Sequence, residues 1–355
     1  MKLKKTTATS RRPSVKVLVA YHKPDQLVSG GCFVPIHLGR AIALEKHKDG
    51  INTEADVNWM LENLIGDDTG DNISTKNRSY NEITATYWAW KNYDKLGDPD
   101  YIGLSHYRRF FIANQSYSMS RDDMSWRSAR APRFGVIDNF FENMTKFRDV
   151  DKIACHYDLI IPRETMICLV INNAITVEDF FAEASCRPGD PEWIYDLIKK
   201  DFPQYMEAAK EYLFESMLWI PFNMFVMKKK MFFEYAEFLF SVIDRYQEFI
   251  LSGNTELLRL QMCRPVATMA EIVTAIFFKH QMKNPELRVK KLFVAYLEPF
   301  EEQPTAKIVA PKTVIRRYKR KISKYKLLQF LTCGTVDEFK KRKSGYRVKL
   351  RALEV

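Results

Sequence analysis

No stretch of this chain reaches the roughly eighteen uninterrupted apolar residues that a membrane-spanning helix requires, although 46% of its 355 residues are hydrophobic. Six cysteines, at 32, 155, 168, 186, 263 and 333, form no CxxC pair, and no His–Cys grouping has zinc-site spacing. These absences argue against a disulfide scaffold or a zinc module, and the cysteines read as small buried hydrophobes of a reducing compartment. There is no internal repeat and no recognised nucleic-acid motif. The basic start, MKLKKTTATSRRPS, turns polar too soon for a secretory signal, so a cytoplasmic protein is expected. The hydrophobic and aromatic content is ample for a core of one large domain or two small ones.

Acidic residues are scarce in one region. Residues 307–355 hold 16 lysines and arginines against three acids, Asp337, Glu338 and Glu354, which leaves 1–306 close to neutral. The densest part, Lys312 to Lys326, interleaves eight positive residues with Ile315, Tyr318, Ile322 and Tyr325, which spacings of three and four place on one helical face. Such a basic amphipathic helix suits an anionic membrane surface. Nucleic acid is the less favoured partner, and a solvated helix packed on its own protein is the third reading.

Along the chain, Val15–Ala20 reads as a first strand and Tyr101–Ser105 as another, with Tyr157–Ile161 stopped by Pro162. Residues 45–70 read as polar loop. Ser74 reads as the N-cap of a helix on which Tyr80, Ile83, Tyr87 and Trp90 share a buried face. Residues 113–150 read as an excursion, 176–216 as two amphipathic helices, and Trp219–Met227 as a buried strand interrupted by Asn223. Helices follow over about 229–250 and 264–278. Strands separated by helices predict an α/β fold with a mostly parallel sheet flanked by helices.

In such sheets ligands lie beyond the carboxyl ends of strands. Two segments qualify: Tyr21, His22 and Lys23 after the first strand, and His106, Tyr107, Arg108 and Arg109 after Tyr101–Ser105. Paired arginines beside a histidine suit an anion such as phosphate, or structural pairing with core-edge carboxylates. Were the backbone to stay extended past Ser105, His106 and Arg108 would point one way and Tyr107 and Arg109 the other. A third segment, Asn72, Ser74, Lys76 and Asn77, surrounds a predicted helix start, which favours anions but equally describes an elaborate cap. Asp67, Asp68 and Asp71 form a possible metal cluster, with turn formation the commoner reason for aspartates in a Gly-rich loop. Glu271 is the only acid in an apolar helical stretch. There, desolvation would raise its pKa toward that of a general base, unless it pairs with Arg264 or Arg259.

The ordered blocks YHK (21–23), PIHLG (35–39), GDNISTKN (70–77), YNEITATYWAWKN (80–92), DYIGLSHYRRF (100–110), YDLIIPR (157–163) and NMFVMKKKMFFEYAEFLF (223–240) resemble a bacterial family of capsular-polysaccharide and O-antigen glycosyltransferases long known only as a domain of unknown function. The resemblance implies a basic N-terminal extension (1–14), a GT-A-like nucleotide-sugar-binding domain (15–300) and a basic amphipathic tail (301–355). It implies inverting transfer from a UDP-sugar, galactofuranose among the candidates, to a lipid-linked or oligosaccharide acceptor at the inner membrane surface. His106–Arg109 stands where GT-A enzymes commonly carry a metal-binding Asp-x-Asp, so positive side chains would replace the metal and no cofactor is expected, a divalent cation remaining the alternative. Glu271 would be the catalytic base, with Asp158 the second candidate. The late motif departs from the family pattern, reading RPVATMAEIV, with Ile272 where an arginine is usual. A non-catalytic nucleotide-sugar or glycan binder, and less so a nucleic-acid binder using the tail, are the rival readings.

Overall fold

A computed structural model of the chain describes residues 12–46, 50–113, 133–134, 149–167, 176–179, 189–253, 265–297, 319–320, 322–324 and 327. Most of the expected excursion and nearly all of the tail lie outside these residues. Strands β1 (Val15–Tyr21), β2 (Phe33–His37), β3 (Ile65–Gly66), β4 (Tyr101–His106), β5 (Arg109–Phe111), β6 (Arg133–Phe134), β7 (Leu159–Pro162), β8 (Thr165–Met166), β9 (Leu218–Trp219), β10 (Phe225–Lys228), β11 (Val289–Leu292) and β12 (Val294–Leu297) alternate with helices. The helices are α1 (Glu54–Asn63), α2 (Asn77–Tyr80), α3 (Ile83–Lys91), α4 (Val150–Ala154), α5 (Asp190–Asp201), α6 (Met206–Lys210), α7 (Lys229–Gly253) and α8 (Pro265–Met282).

The main sheet runs β11-β7-β10-β4-β1-β2-β3. Along that path β10 alone is antiparallel to its neighbours, β4 and β7. The sheet is buried on both faces, which is why β1 and β4 read as nearly continuous apolar runs. Side chains alternate across it: Leu18, Ala20, Ile102 and Leu104 join the core under α3, α5, α7 and α8, while Val17, Val19, Tyr21 and Tyr101 join the core with Phe110, Val150 and Leu292. Gly103 in β4 has a packing reason, since a Cβ there would lie 2.6 Å from the Phe225 carbonyl oxygen of β10.

Four local expectations are corrected. Residues 54–63 are helical, started by a capping box in which Thr53 Oγ1 accepts from Asp56 N–H and Asp56 accepts from Thr53 N–H. Ser74 is no cap but a fully buried member of a 3-10 turn. The helix expected beyond it breaks at Asn81, whose φ is +48°; asparagine tolerates that region, so the apolar periodicity continues through the break unmarked. Finally, 219–227 is two strands separated at Phe222, where φ is +66°.

Candidate functional site

The parallel strands deliver their carboxyl ends to one edge. In register, Ala20 of β1 lies beside His106 of β4, and Tyr21 beside His37 of β2. At this edge a cavity of about 500 Å³ opens, within the range of small-ligand pockets. Of the candidate residues it gathers His22, Lys23, Asn77, His106, Tyr107, Arg108, Arg109 and Glu271.

The backbone does not stay extended after β4. Tyr107 and Arg108 form a turn and Arg109 pairs antiparallel with His106, so the chain doubles back and all four residues line the cavity. Arg108 is held by Asp25, with Nε at 2.8 Å and Nη2 at 2.6 Å from Oδ2. Arg109 donates from Nη1 to Nδ1 of His106 at 3.1 Å, and its guanidinium lies over the Phe222 ring, 4.5 Å from the centroid. Because arginine only donates, His106 Nδ1 is the acceptor, and the neutral ring carries its proton on Nε2. That nitrogen is buried without a hydrogen-bond partner. Burial and the neighbouring Arg109 push the His106 pKa down to about 4, with Glu82 pulling the other way. His106 is therefore neutral at pH 7 and offers an N–H.

Tyr21 does not face the cavity. Its buried hydroxyl donates to the Gln26 carbonyl and accepts from Val28 N–H, both at 2.9 Å, and its ring supports Tyr107 at 5.5 Å. Asn72, Ser74 and Lys76 also stand outside it. Asn72 closes its own loop through the carbonyls of Asp68 and Gly70. Ser74 donates to Asp67 at 2.5 Å, and Lys76 lies beside Tyr80 and Asp244. Asp158 is corrected as a candidate base: it sits at the amino end of β7, the opposite edge of the sheet, paired with Lys228 at 2.5 Å and accepting Arg288 N–H at 2.7 Å.

The three loop aspartates do not converge. Asp67 is fully buried and accepts from Gly39 N–H, Arg40 N–H, Ser74 Oγ and Thr84 Oγ1. Burial nevertheless raises its pKa. Asp68 pairs with Arg40, and Asp71 accepts from Tyr87. Among the described residues no group of three or more His, Cys, Asp or Glu is arranged to hold a metal ion. The Asp67 hub fixes Gly39 (φ +62°), where a Cβ would meet the Asn77 side chain at 2.7 Å.

Several lining residues went unseen in the sequence: His37, Asn52, Arg78, Asn81 and Glu82. His37 is buried, its Nδ1 has no hydrogen-bond partner, and desolvation and Arg40 push its pKa down to about 4. Arg78 donates to the Ile42 and Glu45 carbonyls, while Asn52 Nδ2 donates to Ala43 O at 3.1 Å, so both brace the cavity rim. Glu82 accepts from Asn223 Nδ2 at 2.9 Å. Burial pushes its carboxyl up, but His106, Asn223 and Arg109 outweigh burial and hold it below the usual range. The signal available for Glu82 was the one used for Glu271: it is the only acid in the largely apolar segment 78–91. Asn81 and Phe222, both at the cavity's back, adopt a backbone conformation that costs a non-glycine residue about 1–3 kcal/mol, and such strain concentrates at functional sites.

Fold and cleft together define an α/β protein with a cationic, histidine-lined pocket at the carboxyl edge of a mostly parallel sheet. The chain belongs to the family described as Domain of unknown function (DUF4422), whose model matches residues 16–282. A solved structure titled WbbM bifunctional glycosytransferase, apo, is similar to it with a TM-score of 0.64 and 25% sequence identity, over 83% of this chain. The chain spans about half, 48%, of that protein's length. Comparison with curated proteins finds no match. Among the described residues no helix is long and apolar enough to cross a membrane.

Proposed function

We propose that the chain is an inverting glycosyltransferase of GT-A type that moves a sugar, galactofuranose among the candidates, from a UDP-sugar to a bacterial surface polysaccharide. The observation that carries this reading is the turn at the end of β4, which sets Arg109, Arg108 and the His106 imidazole into the same cavity as the Glu271 carboxylate. Similarity to a bifunctional glycosyltransferase supports it. In this mechanism the diphosphate of the donor meets Arg109, with His106 Nε2–H as a neutral donor. The charge that develops on the leaving group is thus met by fixed side-chain donors. Glu271 takes the proton of the acceptor hydroxyl, whose oxygen attacks the anomeric carbon as the bond to the diphosphate breaks. Lys23 and His22 flank the donor. No metal is required in this scheme, and the basic segment 312–326 holds the enzyme at an anionic membrane where a lipid-linked acceptor resides.

The test is release of UDP from a panel of UDP-sugars, with and without EDTA, by the wild type and by Glu271→Gln. Turnover that survives EDTA and is lost in E271Q is the expected result. A protein that binds UDP-sugars but behaves identically as E271Q is a binding module, and the transferase reading fails.

A further inference from the structure

Glu82 is a carboxylate inside a cavity whose proposed occupant is an anion, and the mechanism above gives it no task. Two backbone kinks put it there. Asn81 and Phe222 are two of the three non-glycine residues with positive φ among the described residues. Each immediately precedes one partner of the hydrogen bond from Asn223 Nδ2 to Glu82 Oε1. Asn223 is fully buried, and its Oδ1 accepts from Thr274 Oγ1 at 3.1 Å. Thr274 Oγ1 is in turn 2.8 Å from the buried Tyr235 hydroxyl. A chain of neutral groups running back to α7 and α8 therefore braces the carboxylate from behind. Its charge is coupled to His106 and Arg109 in front. A structural carboxylate needs only a partner; this one shares a cavity wall with the very groups an anionic ligand would use.

We propose that Glu82, braced by Asn223, is a positioning carboxylate that acts as a counter-charge to Arg109 and tempers its grip on the diphosphate, so that the nucleotide product leaves. This rests on the transferase reading. It also explains why two strained residues are kept where glycine would relax them: the strain aims the hydrogen bond.

Charge and shape can be separated with Glu82→Gln, which keeps an oxygen for Asn223 but loses the charge, and Glu82→Asp, which keeps the charge but shortens the reach. Binding of UDP and of inorganic pyrophosphate is measured by calorimetry, alongside kcat and KM for UDP release. E82Q is expected to bind both anions more tightly by about fivefold or more, the scale of removing one partly screened like charge, with kcat and KM falling together. E82D is expected to stay near wild-type affinity. Should E82Q bind either anion equally or more weakly, or E82D prove the worse of the two, Glu82 is merely structural and the proposal is overturned. If E82Q does not fold, the E82D result alone decides in the same way. Wild-type protein that binds pyrophosphate yet releases UDP from no UDP-sugar ends the transferase reading and leaves the charge comparison standing; wild type that binds neither anion ends the proposal too.

Discussion

Replacing Asp67 by asparagine tests whether this residue is a structural hub or a cation ligand. Each carboxylate oxygen accepts one backbone N–H and one hydroxyl: Oδ2 from Gly39 N–H and Thr84 Oγ1, both at 2.7 Å, and Oδ1 from Arg40 N–H at 3.1 Å and Ser74 Oγ at 2.5 Å. The hydroxyls can rotate and accept from an amide NH₂, but a backbone N–H cannot. Whichever way the asparagine faces, one buried N–H is left against a second donor. Hydrogen bonds to a charged group contribute about 1.5–3 kcal/mol, and an orphaned buried donor costs about 1–3 kcal/mol. Relief of the burial that raises the Asp67 pKa offsets part of this, so a net loss of about 2–3 kcal/mol is expected from urea denaturation. EDTA should leave the wild-type midpoint unmoved. A loss below about 0.5 kcal/mol, the range of featureless surface substitutions, or a chelator effect equal to that of D67N, would refute the hub.

Stability should also fall with acidification before the carboxylates titrate. His37 and His106 are held near pKa 4 by burial, with Arg40 and Arg109 adding to it. Unfolded imidazoles titrate near 6.5, so the unfolded chain binds more protons between about pH 6.5 and 4. Each histidine then contributes up to about 3 kcal/mol that is complete above pH 6.5 and lost progressively toward pH 4; urea midpoints across that range should slope less in His37→Gln. Glu271→Gln should lower UDP release by about 10²–10⁴-fold, the usual worth of a general base, with UDP affinity by calorimetry unchanged. Gly39→Ala, at positive φ and against Asn77, should cost about 1–3 kcal/mol in urea. Asp158→Asn, at the far edge of the sheet, should leave kcat as it is.

The elements legible in the sequence are those whose burial writes a clear pattern. The runs in β1, β4 and β7 are apolar because both faces of the sheet are covered, and α7 and α8 carry aromatic and aliphatic faces into the core. Helix α1 was unreadable because Met60 is its one buried residue, so its signal lay in the Thr53–Asp56 cap and not in periodicity. The breaks at Asn81 and Phe222 left no local mark. In the site, His106–Arg109 was legible as a polar block ending an apolar strand, but its reversal was not, because strand pairing between His106 and Arg109 is a tertiary choice. Asn72, Ser74 and Lys76 illustrate the reverse error: hydrogen-bonding residues near a helix start serve the loop and the Asp67 hub, and only Asn77 turns inward to the cavity.

The single reversed strand has an evolutionary consequence. Because β10 runs counter to its neighbours, its entrance lies where they exit, and the segment 220–224 reaches the ligand side without a crossover helix of its own. The rear of the pocket is thus carried by a short insertable connection anchored at both ends, whereas the front is carried by the strand tips themselves. Relatives can remodel that connection to accommodate different sugars while the sheet, and the phosphate grip attached to it, stays put.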